Sequence, residues 1–201
     1  MTKQLDPKEG YSRYASTYDN HEKYWDSFEK RTLKQYIESS KGKKVLDAGA
    51  GTGRISVKLL KAGATDVTAL DISPEMLEVL KKKDGRIKTV EGDLEKMPFG
   101  DCEFDMIFSS LALVHLKKIE PFLDECYRVL KDNGILVLVN VHYRNPLVLN
   151  DDKGKYTIAC FNHFPRHVRE AAEGLAFGVE EETFVYEGDE IWISQILILK
   201  K

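Results

Sequence analysis

Paired cysteines, clustered histidines and long apolar runs are all missing from this 201-residue chain. Cys102, Cys126 and Cys160 lie far apart with no Cys-x-x-Cys, so neither a disulfide framework nor a zinc site is expected, and a reducing cytoplasm suits them best. The five histidines are scattered, and no metal is expected. No stretch approaches the ~18 apolar residues of a membrane span. Met1 to Asp19 is polar and tyrosine-rich where a signal peptide has an apolar core, so neither a signal peptide nor a span is expected. A net charge of −3, from 30 basic and 33 acidic residues, provides no long basic field, which disfavours nucleic acid as a partner. Internal repeats and low-complexity tracts are absent as well. The remaining expectation is one domain, 1–201, cytoplasmic, as a monomer or homodimer.

What is present is organised around Val45-Leu46-Asp47-Ala48-Gly49-Ala50-Gly51-Thr52-Gly53-Arg54, an apolar run that ends in a carboxylate and three alternate glycines. Lys44 to Leu46 suits a short buried parallel strand, and Ile55, Leu59 and Leu60 fall on one face of a helix that follows. Glycines admit a ligand close to the backbone, and the first turn of the helix has N–H groups without partners. Val67 to Asp71 and Ile87 to Val90 read as further strands, closed by Asp71 and by Glu91-Gly92-Asp93. Ser73-Pro74 opens a helix over Glu75 to Lys83. Phe104 to Ser110 reads as a fourth strand. Ile119 to Lys131 reads as a helix burying Phe122, Leu123, Cys126, Val129 and Leu130, and it ends at Asn133-Gly134. Ile135 to Val141 is the least ambiguous buried strand.

The two ends are less regular. Met1 to Asp6 is expected as a loose tail. Tyr11 to Asp19 packs three tyrosines and Arg13 into nine residues, either as a helix on the domain or as a flap whose hydroxyls and Arg13 reach a polar ligand. Trp25, Phe28, Leu33, Tyr36 and Ile37 recur at helical intervals up to Ser39, so residues 1–40 are expected to form a helical cap or lid. Asn145 to Phe164 shows no clear period and reads as a long loop near the site, with a turn at Asp151-Asp152-Lys153-Gly154; residues 142–178 are the expected acceptor-site region. Pro165 to Leu175 looks helical, Glu181 to Glu187 extended, and Ile191 to Lys200 a final strand after a turn at Glu187-Gly188-Asp189. Alternating strands and helices imply an α/β layer structure with a mostly parallel sheet. Ligands of such sheets sit at the carboxyl ends of the strands where strand order reverses, and Asp47, Asp71, Asp93 and Ser109 end strands there.

Charge narrows the ligand. The sixth position of the glycine run is Arg54 rather than a small residue, a departure from the dinucleotide fingerprint, and Asp47 would repel an anionic pyrophosphate. A ligand carrying an ammonium and a sulfonium is attracted instead, and S-adenosylmethionine has both, with a carboxylate for the helix N-terminus or for Arg13. Asp71 can then accept both ribose hydroxyls, with Ile72 or Met76 against the adenine. Asp93 can accept from the adenine amino group while the Leu94 N–H meets a ring nitrogen. A single strand-end aspartate is more often a cap or turn former. Three on successive strands, the first joined to the glycines, favour binding.

These stretches resemble the class I S-adenosylmethionine-dependent methyltransferases. Val45 to Arg54, with Gly49, Ala50, Gly51 and Gly53, matches the family's first motif. Leu70 to Leu77 matches its second, and Gly92 to Phe99 its third. Phe104-Asp105 with Tyr127-Arg128-Val129-Leu130-Lys131 resembles the type 11 branch that includes quinone-ring and malonyl-carrier-protein methyltransferases. Lys131-Asp132-Asn133-Gly134 departs from that branch's usual Lys-Pro-Gly-Gly. The resemblance implies a Rossmann-like three-layer sandwich with a seven-stranded, mostly parallel sheet and an antiparallel last strand. It also implies that Tyr18 reaches the methionine carboxylate, that the backbone around Ser110 and Leu111 holds the methionine amino group, and that the product is S-adenosylhomocysteine. Beyond Asn140 the match holds only in outline.

The expected activity is methyl transfer to a small-molecule acceptor at oxygen, nitrogen or carbon. A base is needed only if the acceptor must lose a proton, and His115, His142 and Tyr143 follow strands where such a base would be useful. A polar loop role suits each of them equally well. Trp25, Phe161 and Phe164 either line an acceptor pocket or, as the favoured reading, belong to the core. Two other readings remain at this point: a cofactor-binding module without turnover and, more weakly, a nicotinamide-dependent oxidoreductase.

Overall fold

The computed structural model describes residues 2–29, 32–143, 148–187 and 191–201. Strand β1 (Lys3–Leu5) leads into helix α1 (Pro7–Tyr14), whose first turn is capped by Asp6 accepting the Glu9 N–H at 2.9 Å. Helices α2 (Glu22–Ser27) and α3 (Leu33–Ser39) follow. Then come β2 (Lys44–Ala48), α4 (Arg54–Ala62), β3 (Asp66–Asp71), α5 (Pro74–Lys83) and β4 (Lys88–Glu91). The second half comprises β5 (Phe104–Ser110), α6 (Glu120–Val129), β6 (Leu130–Val141), β7 (Val148–Asp151), β8 (Gly154–Ile158), α7 (Pro165–Gly174), β9 (Gly178–Glu187) and β10 (Ile191–Lys200).

Seven strands form one sheet in the order β4-β3-β2-β5-β6-β10-β9. The five from β4 to β6 pair in parallel, and β10, the last in sequence, runs antiparallel to both its neighbours. Strand alternation splits the core in two, because successive side chains point to opposite faces. Val45, Met106, Phe108, Val137, Val139, Ile196 and Ile198 join Ile55, Leu59, Leu77 and Leu80 of α4 and α5 on one face. Leu46, Ile107, Leu136, Leu138, Leu197 and Leu199 join Phe122, Leu123, Cys126 and Val129 of α6 and Val168 and Ala172 of α7 on the other. The result is the expected three-layer α/β sandwich, with strand order reversing between β2 and β5.

Three expectations are corrected. The loose tail over Met1 to Asp6 is instead a strand over Lys3–Leu5, paired in parallel with β8, and Leu5 is buried. The structureless loop over Asn145 to Phe164 instead contains the hairpin β7–β8, which with β1 makes a second, three-stranded sheet. These strands are three to five residues long, too short to display a period, and their partners come from opposite ends of the chain. Gly10 is what lets α1 settle on this sheet, since a Cβ there would stand 2.6 Å from Ile158 Cγ1. The helix expected to run from Trp25 to Ser39 is two helices, α2 and α3. Residues 144–147 and the expected turn at Gly188-Asp189 lie outside the described residues. No helix among the described residues is long and apolar enough to cross a membrane.

Candidate active site

At the carboxyl ends of β2, β3 and β5 lies a cavity of about 240 Å³. Its floor begins with the loop after β2, where the Gly49 and Ala50 N–H groups both donate to Leu70 O, at 2.8 and 3.0 Å, tying the turn to β3. Gly49, Gly51 and Gly53 all have positive φ. A Cβ on Gly53 would stand 2.1 Å from Leu80 Cδ1, so that glycine serves the packing of α4 on α5, whereas Gly51 lines the cavity with nothing within 4 Å of its missing Cβ. Gly49 also lines the cavity, close against Ala112, while Ala50 and Gly53 do not line it.

The strand-end carboxylates take different positions. Asp71 lines the cavity, accepts the Gly51 and Ser73 N–H groups at 2.7 and 2.9 Å, and has its pKa raised by burial against the opposing effect of those donors. Asp93 and Leu94 line it as well, Asp93 accepting the Glu95 N–H at 2.9 Å. Ile72 and Met76 supply apolar surface beside Asp71. Asp47 is buried beneath the loop rather than in the cavity wall, where it accepts the Ser56 hydroxyl at 2.5 Å and burial pushes its pKa up to about 6.

The opposite wall follows β5 through Ser110, Leu111, Ala112, His115 and Leu116, with Leu111 in the left-handed region at φ 65, a costly conformation for a branched side chain. Behind it lies an ion network that the sequence did not announce. Arg54 donates to both Glu29 oxygens, at 2.7 and 2.5 Å, to Asp26 at 2.7 Å and to Ser110 Oγ at 2.9 Å, while the Ser110 hydroxyl donates to Glu29. The first turn of α4 is thereby tied to α2 and to the end of β5.

Pro7, Tyr11 and Tyr18 form the roof. Tyr18 stacks on Trp25 with ring centroids 5.3 Å apart, and burial raises its pKa. Arg13 does not reach the cavity as the flap reading expected, because it forms a bidentate pair with Asp151 at 2.7 and 2.6 Å and lies 4.2 Å over the Tyr156 ring. Its charge is spent on joining α1 to the second sheet.

His115 is the one candidate base in the cavity wall. Its Nδ1 lies 2.9 Å from the Ala159 carbonyl, which can only accept, so Nδ1 carries the proton. Burial pushes its pKa down to about 4, leaving the ring neutral near pH 7, and Nε2 therefore accepts the Tyr11 hydroxyl at 2.6 Å. Tyr11 and His115 also border a second, narrower chamber of about 20 Å³ with Tyr14, Trp25, Tyr143, Leu149, Ile158 and Cys160. Trp25 Nε1 is buried with no hydrogen-bond partner among the described residues. Tyr143 thus borders the second chamber only, and His142 borders neither, its ring lying 5.0 Å from that of Trp192.

The remaining candidates disperse. His163 is buried and donates from Nε2 to Leu116 O at 2.8 Å, while His167 lies 3.6 Å from Glu120 on the surface. Trp25 belongs to both core and chamber, but Phe161 and Phe164, favoured for the core, are 38% and 70% exposed. Among the described residues no cluster of His, Cys, Asp and Glu is arranged to hold a metal. Pro7, Tyr11, Ala112 and Leu116 are lining residues that no local motif marked, and only the tyrosine density of the N-terminal segment hinted at Tyr11.

Comparison with known proteins bears on family and fold. Residues 46–138 match the family described as a methyltransferase domain. The demethylmenaquinone methyltransferase of Chlorobaculum tepidum is 31% identical over 185 residues, covering 88% of this chain and 72% of that protein. A malonyl-(acyl-carrier protein) O-methyltransferase of Pectobacterium atrosepticum is 32% identical over 66% of this chain and 52% of its own length. An S-adenosylmethionine-dependent methyltransferase from Mesorhizobium loti superimposes with a TM-score of 0.73 at 18% identity, covering 87% of this chain and 98% of that one.

The chain belongs to the S-adenosylmethionine-dependent methyltransferase family. Its cofactor is S-adenosylmethionine, and the donor set fits it: open space over Gly51, a buried carboxylate at the end of β3, and apolar Ile72 and Met76 alongside. The glycine loop is accordingly a methyltransferase loop and not that of an oxidoreductase.

Proposed function

We propose that this enzyme methylates a small, oxygen-bearing aromatic molecule that enters between the rings of the second chamber, which must part to admit it because about 20 Å³ holds little more than a water. The observation that carries the reading is the chamber itself, where Tyr11, Tyr14, Trp25 and Tyr143 surround a narrow space that shares Tyr11 and His115 with the cofactor cavity. Flat rings favour a flat apolar guest, and the unpartnered Trp25 N–H suits an oxygen on that guest. The quinone named for one relative belongs to this chemical class, which supports the reading.

In this proposal Asp71 accepts the ribose hydroxyls, Ile72 and Met76 face the adenine, and Asp93 with the Leu94 N–H reads its edge. Tyr18, Gly49, Gly51 and the backbone at Ser110 and Leu111 hold the methionine end. The bound cofactor supplies a methyl group already activated by sulfonium, so the protein's main task is alignment, worth on the order of 7–11 kcal/mol in the best-oriented cases. Residues 1–40 act as the cap over both chambers, and 142–178 supply much of the acceptor wall. The free thiols of Cys102, Cys126 and Cys160 suit a cytoplasmic enzyme acting as a monomer or homodimer.

The test uses methyl-tritiated S-adenosylmethionine with naphthohydroquinone and a set of phenols. Label should pass into the organic-extractable product, and Trp25→Phe should raise KM for the acceptor several-fold with little change in cofactor affinity. Label confined to protein or to RNA would refute the proposal.

A further inference from the structure

The wall between the two chambers is polar at a single point. Of the rings that face the narrow chamber, only Tyr11 and His115 also border the cofactor cavity, and they are bonded to each other across 104 positions of sequence. An acceptor passing from the aromatic side toward the cofactor cavity meets this pair. We propose that Tyr11 is a catalytic residue and that Tyr11 and His115 form a proton relay, drawing the proton from the acceptor's hydroxyl during transfer. The inference rests on the oxygen-bearing aromatic acceptor proposed above and takes that oxygen to be a hydroxyl.

The polarity of the relay is set by its far end. Ala159 O accepts from Nδ1, so Nε2 presents a lone pair, and the Tyr11 hydroxyl gives its hydrogen to Nε2 while keeping its own lone pairs for a second donor. In the step, the acceptor hydroxyl passes its proton to Tyr11 Oη as Tyr11 passes its own to His115 Nε2. The acceptor oxygen forms the new bond to the methyl carbon, and the pair from the broken carbon–sulfur bond stays on sulfur. The products are the methyl ether, neutral S-adenosylhomocysteine and an imidazolium that later loses its proton to water.

Weak basicity in the buried imidazole suits a concerted step, because near neutral pH the ring is neutral, with Nδ1 protonated and Nε2 free to accept. The titratable groups around the pair are Tyr18, Tyr143, the Cys160 thiol and the Asp71 carboxylate. Burial raises the pKa of all four, and the Asp71 oxygens are already engaged by the Gly51 and Ser73 N–H groups.

Tyr11→Phe and His115→Asn test the relay, the second keeping a donor for Ala159 while removing Nε2. With naphthohydroquinone or unsubstituted phenol, wild-type kcat should be flat between pH 6 and 8. Both variants should be slower by on the order of a hundredfold at pH 7 and recover as pH rises toward the ionisation of the acceptor. With para-nitrophenol, already largely ionised near neutral pH, the deficit should nearly vanish. Nitrogen-15 NMR of the histidines, with His115 assigned through His115→Asn, should show Nδ1 protonated and Nε2 bare at pH 7 without any acceptor. A protonated Nε2, or variants with the wild-type pH profile on every phenol, overturns the relay and leaves the acceptor class standing. Cofactor binding with no transfer from wild type to any phenol overturns the acceptor class and the relay together.

Discussion

Asp47 gives the most direct test of the charge argument for the glycine loop. Its buried carboxylate accepts the Ser56 hydroxyl, and burial pushes its pKa from 3.8 up to about 6. A carboxyl with a folded pKa above its unfolded one binds protons more readily when folded. Its contribution to stability is therefore full below the unfolded pKa and is lost as pH rises through the folded value. Two units correspond to about 3 kcal/mol lost by pH 7. Asp47→Asn keeps the volume and an oxygen for Ser56 while removing the titration. In urea unfolding, the wild type should lose about 1–2 kcal/mol relative to D47N between pH 5 and pH 7.5. A cation bound over the loop favours the ionised form, so binding S-adenosylhomocysteine, which retains the ammonium, should release a proton from the wild type near pH 6. Calorimetry in buffers of different ionisation enthalpy reads that proton directly. Wild-type affinity should rise with pH while D47N affinity stays flat. Equal affinities and equal pH profiles for the two proteins would refute the idea that Asp47 selects a cationic ligand.

The glycines should separate by function. Gly51→Ala meets no atom and should cost only the ~1–2 kcal/mol of a left-handed alanine while weakening S-adenosylhomocysteine binding at least tenfold; Gly53→Ala, 2.1 Å from Leu80 Cδ1, should lower the melting temperature more and affinity less. Similar effects of both on binding, measured by calorimetry, would contradict the assignment. Arg54→Met strands the buried Glu29 and should cost about 3 kcal/mol in denaturant unfolding, part of which returns when Glu29 is replaced by Met as well. A loss below about 0.5 kcal/mol would mean that the ion network contributes little to holding α2 in place.

The central sheet and the cofactor loop were legible because their signals are local. An apolar run, a carboxylate and alternate glycines specify strand, turn and helix within ten residues, and the apolar runs of β5, β6 and β10 mark strands buried in the core without reference to any partner. Asp71 and Asp93 could be placed at strand ends for the same reason. Asp47 was identified as a strand-end carboxylate, but that it points beneath the loop toward Ser56 depends on how α4 packs.

What tertiary structure decided lies where residues far apart in sequence meet. Three residues of β1 show no strand period alone and become a strand only because β8 provides hydrogen-bonding partners some 150 positions away. Arg13 was free, in sequence terms, to reach either a ligand or a carboxylate, and the hairpin that presents Asp151 settled the choice. Glu29 carries no motif, yet it neutralises Arg54 because α2 folds across the start of α4. The same reason separates the histidines. His115 and His142 both follow strands in the same sheet and look equivalent in sequence, but α1 brings Tyr11 to the first, while the antiparallel β10 brings Trp192 to the second. The sequence by itself narrowed the cofactor to S-adenosylmethionine as the favoured reading, since short-range backbone geometry and charge are encoded locally. Which groups face the acceptor was decided by the packing of the N-terminal cap and the second sheet, and no local pattern encodes it.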